Sequence, residues 1–250
     1  MKSALSFSIV LSLFATSSSF AALWTSGHGD IGIAYDANTG EWEPHFAFHE
    51  EEGGGGMEEE HGHPIIDGAE PIKEEYEIDE LSIRVLGPRQ PGAGIGESGA
   101  LEVFLLSEDE LQAEALGNPW PGIAVEEIQS GVFLNDLVSL SLQNVSGPGV
   151  FSLWNTDPFA GATVVMSSAP GSSAPGSVDL LLDPGHFHFN AGFSEPGTYD
   201  LLFRAEGELV AGGMTSTDFT VRYEVVPIPE PSSLALLLLG GMAALRRKRN

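Results

Sequence analysis

The chain has no cysteine. That absence excludes a disulfide framework, a thiolate zinc site, an iron–sulfur cluster and a cysteine nucleophile together. Cations are almost as scarce, with 10 Lys and Arg against 36 Asp and Glu and a formal net charge of -26. Like-charge repulsion opposes approach to phosphate, so nucleic acid is not an expected partner. Helical periodicity is nearly missing as well. What the chain does have is 42% hydrophobic residues, enough for a core, and 31 Gly with 16 Pro to punctuate it. Such punctuation favours turns between short strands. At 250 residues the length permits one sizeable domain or two small ones.

Both ends read as addresses. Lys2, an apolar run from Ala4 to Ala15 and the small residues Ala21 and Ala22 form a secretory signal, expected as a helix over residues 1–22 and cut by signal peptidase. Residues 227–250 hold Pro229-Glu230-Pro231, an apolar stretch from Leu234 to Leu245 and the basic cluster Arg246, Arg247, Lys248 and Arg249. A helix over that stretch spans about 18 Å, short of the roughly 30 Å hydrocarbon core, so it makes a weak permanent anchor. The cluster would hold it on the cytoplasmic side. These parts, in this order, resemble the PEP-CTERM sorting signal, which implies a transient membrane anchor and processing by an exosortase-type enzyme at the cell envelope. Without the two ends, 5 basic residues face 35 acidic ones, giving -30 on the remaining domain. A surface so charged collects divalent cations.

Residues 23–226 read as a single all-β domain, an antiparallel sandwich of jelly-roll or immunoglobulin-like type. Ile31, Ile33 and Tyr35 alternate with Asp30, Gly32, Ala34 and Asp36; after the Asn38-Thr39-Gly40 turn, Trp42, Pro44, Phe46 and Phe48 alternate with Glu43, His45, Ala47 and His49. The pair predicts a hairpin. Further strands are expected at 81–86, 101–106, 137–142, 150–154, 177–182, 186–193, 198–206 and 216–225, with one short helix over 108–116. Residues 49–63 form a flexible acidic, glycine-rich loop whose His61 and His63 offer auxiliary metal ligands.

Side chains alternate across a strand, so parity decides which residues share a face. His28 and Asp30 oppose the Ile31/Ile33 face, His45 and His49 oppose Phe46 and Phe48, and His186, His188 and Asn190 oppose Phe187 and Phe189. If these segments are neighbours in a sheet, their imidazoles converge. Imidazoles with a carboxylate and no sulfur suit zinc best. The candidate ligands are His28, Asp30, His45, His49, His186 and His188, with Asn190 supporting them.

The runs SGHGDIGIAYDANTGEWEPHFAFH, NVSGPGVFSLW and LDPGHFHFNAGFSEPGTYDLLFRAEG resemble the choice-of-anchor M domain of bacterial surface-anchored proteins. With the PEP-CTERM tail, the combination is similar to the Zur-repressed PEP-CTERM group. The resemblance implies zinc handling outside the cell, with Gly27 to Asp30 and Gly185 to Asn190 carrying the family's characteristic residues. It departs at the second strand, where family members often show His-x-His and this chain spaces His45 and His49 by three residues.

The resulting expectation is a non-enzymatic, exported envelope protein for zinc scavenging, storage or hand-over. Other readings remain. His28, Asp30 and His188 have the composition of an iron-dependent oxygenase triad. A structural or adhesive sandwich could grip extracellular polysaccharide through Trp24, Trp120 or Trp154, and the carboxylates could take calcium. Gly94 to Gly99 matches GxGxxG, but an expected strand follows instead of a helix, so dinucleotide binding is not expected.

Overall fold

The computed structural model describes residues 21–48, 63–93 and 102–228. In chain order the strands are β1 (Ala22–Asp36), β2 (Glu41–Ala47), β3 (Ile65–Ile66), β4 (Glu75–Glu77), β5 (Leu81–Gly87), β6 (Gln90–Pro91) and β7 (Glu102–Leu106). The helix α1 (Glu110–Leu116) follows, then β8 (Pro119–Ala124), β9 (Leu137–Ser146), β10 (Phe151–Asp157), β11 (Gly161–Ser167) and β12 (Ser177–Leu181). The last four are β13 (His186–His188), β14 (Asn190–Phe193), β15 (Gly197–Glu208) and β16 (Met214–Pro227).

Two curled sheets face each other, as a sandwich requires. The larger runs β12-β9-β15-β16-β5-β1-β2-β4, and the smaller β11-β10-β14-β7-β6. Phe193 of the smaller sheet meets Tyr199 and Tyr223 of the larger, each with ring centroids 5.0 Å apart. Trp24, Phe46, Phe133, Phe151 and Tyr199 are sealed in the same core. Each large apolar side chain so buried contributes about 1.5–3 kcal/mol.

The expected purely antiparallel order is corrected. β1 runs parallel to β5 and to β8, and β5 runs parallel to β16. The reason lies in β1, which serves two neighbourhoods. Its first residues pair with β3 and β5, and from Gly27 onward it pairs with β8, then β2. Gly27 sits at the change of partners with φ +78, and the carbonyl of His63 lies where its Cβ would be. Only glycine accepts both conditions without strain.

The anticipated hairpin is β1–β2, with Ile31 opposite Phe46 and Gly32 opposite His45. The anticipated helix is α1, capped by the Asp109 side chain on the Gln112 N–H and ended by Gly117 in the left-handed conformation. The expected single strand over 186–193 divides at Phe189. β13 pairs with β8 in the larger sheet, whereas β14 pairs with β10 and β7 in the smaller. β8 itself was not anticipated, since Pro119, Pro121 and Gly122 read as breakers. Pro119 and Pro121 contribute no N–H to the ladders, yet β8 stays in register with β1 and with β13.

Candidate metal centre

The order β2-β1-β8-β13 lays out the site. Along one rung Ala47, Asp30, Gly122 and His188 are successive partners, and along the next His45, Gly32, Ala124 and His186. His28 stands opposite Trp120 on the preceding rung. Neighbouring strands are only about 4.7–4.9 Å apart, so rings can lie across a sheet face only where their neighbours are small. Gly32, Ala47, Gly122 and Ala124 provide that floor. A Cβ on Gly122 would collide with Asp30 Oδ1 and His186 Nε2, so these atoms rest directly on backbone.

Above the floor, His28, His186 and His188 each bring a ring nitrogen within 4.8 Å of the others. Nε2 of His186 is 3.0 Å and Nε2 of His28 is 3.8 Å from Oδ1 of Asp30. Four donors around a tetrahedral zinc with bonds near 2.0–2.1 Å lie about 3.3 Å apart. The imidazole spacing is wider than that of a formed zinc polyhedron, and the donor set is three ring nitrogens with a carboxylate against two of them, drawn from β1 and β13.

Burial tunes these groups. Burial first, then the neighbouring His186 and His28, holds His188 down to about 4, with Asp30 and the Pro121 carbonyl pulling partly the other way. The ring is therefore neutral at pH 7. Its Nδ1 faces the Pro121 carbonyl at 3.2 Å, the arrangement that leaves Nε2 as the lone-pair donor. Asp30 is 5% exposed. Burial pushes its carboxyl up, but the His186 hydrogen bond and the charges of His186, His28 and His188 outweigh this and lower it overall. It is a carboxylate at neutral pH.

A supporting shell fixes the rings. Trp120 stacks on His188 at 3.8 Å and 4° and touches the His28 ring at 4.8 Å. The Trp120 indole N–H donates to the Glu108 carbonyl. Glu108 in turn gives its N–H to Asn190 Oδ1, and Asn155 donates to both the Glu108 carboxylate and the His188 carbonyl. Asn190 thus supports the site at one remove, from the smaller sheet, without contacting an imidazole. Trp120 was expected only as a candidate polysaccharide contact, and Gly122 and Glu108 were not singled out as site residues. A glycine flanked by large residues opposite Asp30 was the one available signal, masked by the prolines around it.

His45 does not join the three imidazoles. It lies one rung along, over Gly32, with Nδ1 2.8 Å from the Glu43 carbonyl and Nε2 3.0 Å from Glu127 Oε1. His63 is described and exposed, its carbonyl against Gly27. His49, His61, the expected signal helix, the Pro229–Pro231 motif, the apolar tail and its basic cluster fall outside the described residues. Among the described residues no helix is long and apolar enough to cross a membrane. Trp24 and Trp154 are buried, at 0% and 4% exposure, and offer no face to a polysaccharide.

Fold and tail together define an exported β-sandwich protein sorted to the cell surface. Residues 227–249 match the PEP-CTERM protein-sorting motif, which implies processing by an exosortase-type enzyme and a transient membrane association through the C-terminus. No curated protein and no solved structure matches the chain.

Proposed function

We propose that this surface protein binds zinc at His28, Asp30, His186 and His188, for scavenging, storage or hand-over when the metal is scarce. One observation carries the reading: three imidazoles and a buried carboxylate, from segments some 155 residues apart in sequence, meet over a glycine-floored patch. A buried carboxylate is costly without a compensating positive charge. Zinc would supply it, and the imidazoles would complete the polyhedron. Four protein donors close a tetrahedral ion, the pattern of binding sites that do not turn over substrate. The resemblance to the Zur-repressed group agrees with this reading.

The test is zinc uptake by the full chain, measured by calorimetric titration and elemental analysis at neutral pH. The tight binding event is expected to vanish in a H28A/H188A double variant that keeps its β-rich circular dichroism. Wild-type protein that takes up no zinc, or a double variant that binds as tightly as wild type, sinks the reading.

A further inference from the structure

The turn end of the β15–β16 hairpin carries apolar side chains that the fold does not cover. Leu134, Leu181, Val210 and Met214 are 46%, 48%, 61% and 64% exposed. Leu181 pairs with Leu137, and Met214 with Glu208. All four of these point to the outer face of the larger sheet, because Leu180, Val138, Ala205 and Phe219, of the opposite parity, are buried. The loop over 131–136 lies alongside. The Val210 N–H bonds to the Val132 carbonyl at 3.0 Å and the Leu182 N–H to the Asp136 carbonyl at 2.9 Å, so Leu134 stands between the hairpin turn and β12. Asn135 and Asp136 shape that loop with φ 60 and 50, a left-handed backbone that non-glycine residues keep only where the surrounding structure fixes it. Single apolar residues on a surface need no explanation, but a contiguous patch with a polar border marks a binding surface.

The border has one sign of charge. One rung inward from Leu181, Leu137, Glu208 and Met214 come Asp179, Ser139, Glu206 and Ser216, again successive partners across the strands. Asp179, Glu206 and Glu208 thus edge the patch. Among the described residues the first cation on this face is Arg204, a further rung inward, and two of its nitrogens are held by Asp218. Position narrows what such a surface can meet. β16 has 14 residues, so at about 3.3 Å per residue the patch stands roughly 40 Å along the strand from Pro227, where the sorting motif begins. A membrane reached through the C-terminus therefore meets the other end of β16. A second copy of the chain brings the same three carboxylates, and like charges oppose that contact.

We propose that this end of the sandwich docks a partner protein of the cell exterior whose contact face is apolar at its centre and ringed by Lys or Arg. The partner's apolar side chains cover Leu134, Leu181, Val210 and Met214, and its cations meet Asp179, Glu206 and Glu208. Apolar burial supplies the affinity, while the charges set the rate of approach and the choice of partner. The docking surface shares no residue with the zinc ligands, so it stands or falls separately from that reading.

The probe is a fluorescently labelled peptide with three central leucines between pairs of lysines, set against a control peptide with serines in place of the leucines. Each is titrated with the full chain at physiological salt and followed by fluorescence anisotropy. Wild type is expected to bind the leucine peptide about 10-fold more tightly than the serine peptide. L181S/M214S, changed only at exposed positions, is expected to keep its β-rich circular dichroism and lose that preference, whereas E206Q/E208Q weakens both peptides and keeps it. Equal binding of the two peptides by wild type, or a preference that survives in L181S/M214S, overturns the proposal. A different occupant overturns it as well: wild-type dimers in sedimentation that L181S/M214S abolishes assign the patch to a second copy, and flotation with phosphatidylglycerol vesicles that L181S/M214S abolishes assigns it to a membrane.

Discussion

The β15–β16 hairpin and the β1–β8–β13 patch handle charge in opposite ways. On the hairpin, Arg204 grips Asp218 and Arg222 grips Asp200, each through two nitrogens at 2.7 and 3.0 Å, in the open on the sheet surface. On the patch, Asp30 is buried among imidazoles, and among the described residues no Lys or Arg pairs with it. Exposed pairs cost little to form and contribute little, typically below about 1 kcal/mol. A buried carboxylate offsets its desolvation only when a positive or hydrogen-bonding partner faces it, and here imidazoles take that place. The difference separates carboxylates matched by arginine at the surface from a buried carboxylate matched only by imidazoles.

The comparison breaks most sharply at the ligands. H188A is expected to weaken zinc by more than roughly 100-fold, beyond the 10–100-fold typical of supporting residues, as read by calorimetry. Gly122→Ala comes next: the new methyl displaces Asp30 and His186, so zinc affinity should fall about 10–100-fold and stability by about 1–3 kcal/mol, seen in denaturant unfolding. W120A removes the plate that orients His188 and should weaken zinc by about 10-fold while circular dichroism stays unchanged. A W120A protein with wild-type affinity would show that the stack is packing alone.

Acid provides the next test. The His188 value is lowered in the folded state, so between pH 6.5 and about 4 the unfolded chain binds more protons than the folded one. Stability of the metal-free protein therefore falls as pH drops through that window, and Asp30, also lowered, extends the loss below pH 3.8. Melting temperatures at pH 7 and pH 4.5 should differ by several degrees, since 1 kcal/mol moves a domain of this size by about 2–4 °C. Saturating zinc raises the pH 7 value further by mass action. The smallest effect belongs to the hairpin: R204A should cost less than about 1 kcal/mol and leave zinc binding untouched.

Much of this was legible in the chain. Alternation placed the β1–β2 hairpin, and parity put His28, Asp30, His186 and His188 on polar faces because strand side chains alternate regardless of what the strand pairs with. Parity did not set register. His45 has the right face and shares a rung with His186, but Gly32 of β1 and Ala124 of β8 stand between them. β8 was hidden by Pro119, Pro121 and Gly122, whose turn-forming preferences are local while their place between β1 and β13 is not. Asn190 follows His188 in parity, yet the crossover at Phe189 carries it to the other sheet.

Composition, alternation and the terminal motifs by themselves determined an acidic, exported, β-rich chain with imidazoles facing away from its core, because each of those properties depends on residues near one another in sequence. Which imidazoles meet, what glycine they rest on and which tryptophan holds them were decided only by the pairing of distant strands. Proximity across a sheet depends on strand order and register, and both come from packing the whole core.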